Sequence, residues 1–325
     1  MNLVGLARNP IPSGAVCDFF PAHDGVPLRF ARWEATRAPT RGTIVIFQGR
    51  GEFIEKYFEV VADLRRRGFA VATHDWRGQG GSHRPLANRY KGHVGGFSEY
   101  DHDIVRFMKE IVLPSCPPPY LVLAHSMGGN IALRASSSPN SWFERMVVCA
   151  PMLGFHRSKV VIPQSLAHAY VEIGKLFGAG GLYVPGGNDL PTEAGTFANN
   201  SLTSDAERFA RNRQILEAMP ELGLGSPTIG WLRSAYRSNR MLMDPTYAPR
   251  AQIPMLLVSA GSDRIVSTPN IEEFASRLKV GAHVLITRSE HEILQERDDI
   301  RAQFWAAFDA YLGITASARV NAVTP

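Results

Sequence analysis

The chemistry of this chain starts at Ser126. The apolar run Tyr120-Leu121-Val122-Leu123 leads into Ala124-His125-Ser126-Met127-Gly128-Gly129, and a helix-forming segment, Ile131-Ala132-Leu133-Arg134-Ala135, follows directly. A strand that turns sharply through a serine into a helix strains the serine backbone and tolerates only small neighbours. Gly128 meets that need on one side, and Ala124 stands in the corresponding position on the other. A serine that merely capped a helix would not need small residues on both sides. A hydroxyl is a weak nucleophile at neutral pH. It needs a base within hydrogen-bond reach, and the base needs an orienting carboxylate. In a strand–turn–helix arrangement the acid and then the histidine follow the serine along the chain. Asp263, in Gly261-Ser262-Asp263-Arg264, and His291, in Ser289-Glu290-His291-Glu292, fall in that order, each after an apolar run. Glu290 and Glu292 are rival partners for the histidine, but they share its loop, which hinders a buried orienting geometry. His125 is expected to point into the scaffold, and His74, His93 and His102 are expected to be structural or surface residues.

Acyl transfer also requires donors aimed at the oxygen that becomes negative. The backbone amide of Met127, next after the serine, is the first expected donor. The second is expected from the loop Gln48-Gly49-Arg50-Gly51-Glu52, at Arg50, with Gly49 as the alternative. The Arg50 guanidinium suits a phosphate, so an anionic head group is a candidate for its side chain.

These residues must be held by a sheet. Runs 43–47, 69–73, 120–124, 146–150, 255–259 and 283–287 are apolar, as in strands buried on both faces. Helical patterns lie between them, including one with Ile54, Tyr57, Phe58, Val61 and Leu64 that stops at Gly68, and others over 97–112, 269–279 and 299–312. Strands alternating with helices predict an α/β fold with a mainly parallel sheet covered on both faces. Runs 16–20 and 28–33, around His23-Asp24-Gly25, predict a hairpin. The stretch between about 151 and 249 differs: it is rich in glycine, aromatic and aliphatic residues, with helical patterns and no clear strand. The resulting division is a first core part, 1–151, a cap or lid insertion, 152–249, and a second core part, 250–325, with a loose tail past Ala316. Some of the apolar content of the cap is expected to line an acyl pocket.

A chain of 325 residues has room for one such domain with an insertion. Hydrophobic residues at 45% and charged residues at 20% exclude a disordered chain. The net charge of +5, from 35 basic and 30 acidic residues, is too small to argue for nucleic acid. The triplet Arg65-Arg66-Arg67 is expected to complement a helix dipole, and a weak peripheral contact with anionic lipid stays open. Three cysteines, Cys17, Cys116 and Cys149, form no metal spacing or disulfide framework and fit a reducing, cytoplasmic compartment. No stretch is apolar and long enough to be expected to span a bilayer.

With these motifs in place, the sequence resembles the α/β-hydrolase superfamily, and within it the bacterial lysophospholipase and monoacylglycerol-lipase branch. The resemblance rests on Gly49-Arg50-Gly51-Glu52 with Tyr57, on Asp75-Trp76-Arg77-Gly78-Gln79-Gly80-Gly81-Ser82, on the elbow around Ser126, on Gly261-Ser262-Asp263 and on Glu290-His291-Glu292. It covers about 16–151 and 250–313 and fades in the cap. It implies a mostly parallel eight-stranded sheet with helices on both faces and an inserted, mainly helical cap. It further implies a serine hydrolase that cleaves carboxylic esters through an acyl-enzyme, with Ser126, Asp263 and His291 as the triad, Met127 and Arg50 as the oxyanion hole, and no metal or organic cofactor. The expected substrate is a lysophospholipid or monoacylglycerol. A short-chain esterase or acyltransferase on the same triad, or a non-catalytic relative that binds a small ligand, are the alternatives. Two departures from the family pattern are Ala124, where the elbow usually has glycine, and Gln48-Gly49-Arg50, where many relatives carry His-Gly and a small residue.

Overall fold

The computed structural model describes residues 2–138, 141–159 and 164–314. Its sheet has eight strands: β1 (Val16–Pro21), β2 (Pro27–Trp33), β3 (Thr43–Phe47), β4 (Ala70–His74), β5 (Tyr120–His125), β6 (Phe143–Cys149), β7 (Met255–Ala260) and β8 (Gly281–Ile286). They lie in the order β1-β2-β4-β3-β5-β6-β7-β8. From β4 to β8 all pairings are parallel, and β2 runs against both of its neighbours. The hairpin expected between β1 and β2 forms, with Gly25 at a φ of +82° closing its turn. Every residue of β3, β4 and β7 is buried, which is why those strands are continuous apolar runs rather than alternating ones.

β5 lies centrally, between β3 and β6, and carries the serine at its carboxyl end. The strands β3, β7 and the edge strand β8 run parallel to β5 and end on the same rim, so their following loops face one another there. The helix Phe58–Arg66, the segment Phe97–Ser115, the helix Ser126–Ala135 and the helix Asp298–Leu312 cover the faces. The last of these stops at Gly313, whose φ of +68° gives the left-handed turn expected there. The segment expected to be a single helix over 97–112 has a π-helical turn over Met108–Val112. Between β6 and β7 the described residues form helices and turns but no strand, with the longer helices at Gln164–Leu176, Ala206–Ala218 and Ile229–Leu242. The tail expected past 316 lies outside the described residues.

The arginine triplet closes the helix Phe58–Arg66, at the carboxyl end where it was expected, and its side chains also have specific partners. Arg65 donates to the carbonyls of Glu34 and Ser13, Arg66 pairs with Asp63, and Arg67 pairs with Asp309 while lying 4.0 Å from the Trp305 ring centroid. His74 is a core residue, as expected. It is enclosed by Phe20, Phe47, Trp76 and Phe107, and burial pushes its imidazole down to about 3.

Candidate active site

The turn from β5 into the helix Ser126–Ala135 puts Ser126 at a φ of 51°, in the left-handed region that a residue with a Cβ adopts only under constraint. The constraint is packing. A Cβ on Gly128 would collide with the carbonyl oxygens of Phe47 and Gln48, and one on Gly129 would press on Val148 and Pro151. The elbow glycines therefore let the helix approach the end of β3 so closely that the serine is forced up onto the rim.

The three residues predicted from chain order meet there. His291 Nε2 lies 2.9 Å from Ser126 Oγ, and His291 Nδ1 lies 2.7 Å from Asp263 Oδ2. A carboxylate only accepts, so Nδ1 carries the proton and Nε2 is left to accept from the serine hydroxyl. Asp263 Oδ1 accepts from the amides of Ile265 and Val266 at 2.7 and 2.9 Å, which fixes the plane of the carboxylate. Burial pushes the Asp263 carboxyl up, but His291 and those two amides outweigh it and hold it below its usual value. Ser126, Asp263 and His291 are 8%, 7% and 3% exposed, so the relay is shielded from bulk water. The rival carboxylates are engaged elsewhere, Glu290 with Arg264 and Glu292 with Lys56.

The two amides expected at the oxyanion position are uncommitted. Met127 is the second residue of its helix, where an amide has no intrahelical acceptor. The Arg50 amide donates to no described residue, whereas its neighbours are both pinned. Gly49 N–H donates to Glu52 Oε2 in a very short contact, and Gly51 N–H donates to Gln79 Oε1 at 3.2 Å. Gly49, the alternative donor, is thereby removed from contention.

Behind this loop lies a buried charge cluster that the sequence patterns did not reveal. Lys56 Nζ sits 2.6 Å from Glu292 Oε1, 3.0 Å from Glu193 Oε1 and 3.3 Å from Glu52 Oε1. Glu52 Oε2 also accepts from Tyr57 OH at 2.7 Å and from His125 Nδ1 at 3.2 Å. His125 Nε2 in turn reaches the carbonyl of His291 at 3.2 Å. Burial lowers the His125 pKa, but Glu52 outweighs it and raises it overall. Burial raises the Glu52 carboxyl, and His125 and Lys56 more than reverse that. Glu52 thus ties the loop 48–52, through His125, to the backbone of the loop that carries His291. The available sequence signal was the pair Glu52 and Lys56, four apart at a helix start. Glu193 lies 137 residues from Lys56, in a stretch without periodicity. No group of His, Cys, Asp and Glu among the described residues could hold a metal ion.

The chain is similar to known proteins along most of its length. The family model described as serine aminopeptidase, S33, matches residues 38–298. Lysophospholipase L2 of Escherichia coli strain K12 is 30% identical over 296 residues, covering 87% of this chain and 83% of that protein. Among solved structures, a soluble variant of monoglyceride lipase from Saccharomyces cerevisiae, in complex with a substrate analog, aligns with a TM-score of 0.73 at 16% identity over 93% of this chain and 97% of that one. A thermostable carboxyl esterase from Bacillus coagulans aligns with a TM-score of 0.74 at 18% identity over 93% and 99%. The sheet order, the strained serine and the match along most of the sequence agree, and the chain belongs to the serine aminopeptidase S33 family of α/β-hydrolases.

Proposed function

We propose that this protein is a serine hydrolase that cleaves the carboxylic ester of a lysophospholipid or monoacylglycerol, with Ser126 as nucleophile, His291 as general base and acid, and Asp263 as the group that orients the imidazole. His291 takes the Ser126 proton as the oxygen attacks the ester carbonyl. The carbonyl oxygen becomes an oxyanion facing the Met127 and Arg50 amides. Its collapse breaks the ester C–O bond, and the imidazolium returns the proton to the departing glycerol oxygen. Water, activated by the same imidazole, then releases the fatty acid from Ser126. The observation that carries this reading is the 2.7 and 2.9 Å relay from Asp263 through His291 to Ser126. The likeness to lysophospholipase L2 supports the substrate class. An aminopeptidase would need free carboxylates to hold a substrate ammonium, and Glu52, Glu193 and Glu292 are instead tied to Lys56.

The segment 152–249 serves as the cap. Its helix Gln164–Leu176 and the following turn expose Leu166, Ile173, Leu176 and Phe177, which supports weak peripheral contact with lipid. No helix of the described residues is long and apolar enough to cross a membrane. The free thiols Cys116 and Cys149, both buried, fit a cytoplasmic setting. A fluorophosphonate probe tests the mechanism, and a panel of monoacylglycerols and lysophospholipids graded by chain length tests the substrate. Wild-type protein should label and Ser126→Ala should not. A wild type that neither labels nor turns over any ester in the panel would leave a small-ligand binder as the better reading.

A further inference from the structure

Most buried cations among the described residues have an evident counter-charge, and buried Arg65 is occupied instead by the Glu34 and Ser13 carbonyls. Arg29 pairs with Glu55 and Asp75, Lys56 with three glutamates, Arg77 with Asp103, and Arg301 with Asp63. Arg84 has none, but the carbonyls of Gly78, Gly80, Arg89, Glu221 and Gly223 occupy it as a clamp on the cap. Arg50 has neither. Its Nη2 donates to the carbonyl of Gly225 at 2.6 Å, and its guanidinium lies over the Trp231 ring, 5.2 Å from the centroid. Its Nε is fully enclosed without an acceptor. Its Nη1 bonds to no described residue and is not enclosed. The fields that reach it come from Tyr100, Glu193 and Tyr183, and the Glu193 carboxylate is already held by Lys56. Burial pulls the guanidinium down to about 10, which leaves it a cation at neutral pH.

The site around this cation is built. Gly92 is bonded to the cap through Ser226 O at 3.1 Å and Thr228 N at 2.9 Å, and a Cβ on Gly92 would overlap the guanidinium. A desolvated cation with an open donor, seated between loop and cap, gains most from an anion that arrives with the substrate. We infer that Arg50 is a specificity-determining residue whose guanidinium takes a phosphodiester oxygen of a lysophospholipid, while its own amide faces the ester carbonyl. The glycerol between ester and phosphate is comparable in length to the methylene arm between the Arg50 backbone and its guanidinium. This inference rests on the proposed substrate class, and it adds that the anionic head group is preferred over the free hydroxyl of a monoacylglycerol.

The test is a binding measurement that does not depend on turnover. In a Ser126→Ala background, calorimetry would compare octanoyl lysophosphatidylglycerol with monooctanoylglycerol, both below their micellar concentrations, with and without Arg50→Gln. Arg50→Gln should weaken lysophospholipid binding by about tenfold to a hundredfold more than it weakens monoacylglycerol binding, as expected for loss of a charge-assisted hydrogen bond. Arg50→Lys should recover part of the loss. Equal losses on both ligands would assign Arg50 a purely structural role and overturn the inference, as would no loss on either. If wild-type protein hydrolyses neither lipid although the binding difference is present, the hydrolytic reading fails and the anion site stands.

Discussion

The buried cluster around Lys56 makes a strong demand on the fold, and Lys56→Met tests it. Methionine keeps the apolar stem and removes the ammonium that lies within 2.6 to 3.3 Å of three glutamate oxygens. The side chain of Lys56 is fully buried, so water cannot replace the lost charge. Removing one partner from a buried ion pair costs roughly 3–5 kcal/mol, a large part of the roughly 5–15 kcal/mol that holds a domain together. For a chain of this size that corresponds to a fall on the order of 1 M in the urea midpoint. The loss should also depend on pH with a definite sign. Without the ammonium, burial and the neighbouring carboxylates raise the Glu292 carboxyl further in the folded state. The folded variant then holds protons that the unfolded chain releases, so its stability falls as pH rises from about 4 through the raised values, by about 1.4 kcal/mol per unit for each proton. Wild-type Glu292 already leans the same way: burial pushes its carboxyl up, and Lys56 only partly reverses that. Urea midpoints of both proteins at pH 5 and pH 8 measure the effect. A gap that is wide at pH 8 and narrower at pH 5 is expected, and Lys56→Met/Glu292→Gln should recover part of it. A variant as stable as wild type at pH 8, or a gap that does not change with pH, would refute the electrostatic account.

Three further outcomes follow from distances already given. Asp263→Asn should keep the site geometry but present the wrong imidazole tautomer to Ser126. A fall in kcat of about 10⁴-fold with KM little changed is expected, measured on a short acyl ester. Glu52→Gln weakens the tie from Gly49 through His125 to the His291 carbonyl. It should lower kcat by about 10²-fold without abolishing fluorophosphonate labelling, because the Arg50 donor is displaced while Ser126 is not. Glu59 is held by Arg208, Arg211 and Arg301, which overcome the upward push of burial and bring its carboxyl down to about 2. Because that folded value lies below the unfolded one, its stabilisation is present above the usual carboxylate range and lost as pH falls toward 2. With its side chain 26% exposed, Glu59→Gln should cost about 2 kcal/mol at pH 7 and almost nothing at pH 2, read from thermal or urea midpoints.

Much of the sheet and the meeting of Ser126, Asp263 and His291 could be read from the chain because both depend on order. A buried parallel strand is an apolar run, and its carboxyl end faces the same rim as its neighbours' ends. A serine and an aspartate that follow such runs therefore converge, and the histidine joins them because the edge strand β8, where only Ile286 is buried, is parallel to its neighbour. The boundaries slipped where this logic weakens. β6 begins at Phe143 rather than 146, because the exposed Glu144 and Arg145 interrupt the apolar run. The charge cluster was hidden for the opposite reason. Ile54, Glu55, Lys56 and Tyr57 are all buried, so no polar face marks the turn, and Lys56 reads as one more charge on an amphipathic helix. Its partners come from the cap and from the histidine loop, and no local pattern joins those positions. Arg50 was visible as a residue type suited to phosphate, but its lack of a counter-charge is a property of the whole packed molecule.

The two unusual cations are connected through Glu193. Lys56 binds that carboxylate, and the field of the same carboxylate reaches Arg50. Held by Lys56, Glu193 leaves the guanidinium without a partner of its own. Freed by Lys56→Met, it gains a reason to turn toward Arg50 and take the place of an incoming phosphate. Lys56→Met should therefore do more than lower stability. At a temperature where the variant is folded, its ratio of kcat/KM for lysophosphatidylglycerol over monoacylglycerol of the same chain length should fall by about tenfold, and Glu193→Gln added to it should restore the ratio. Taking a ratio cancels any loss of active protein common to both substrates. A ratio that stays at the wild-type value would mean that the Lys56 cluster holds the fold together without shaping which lipid the site accepts.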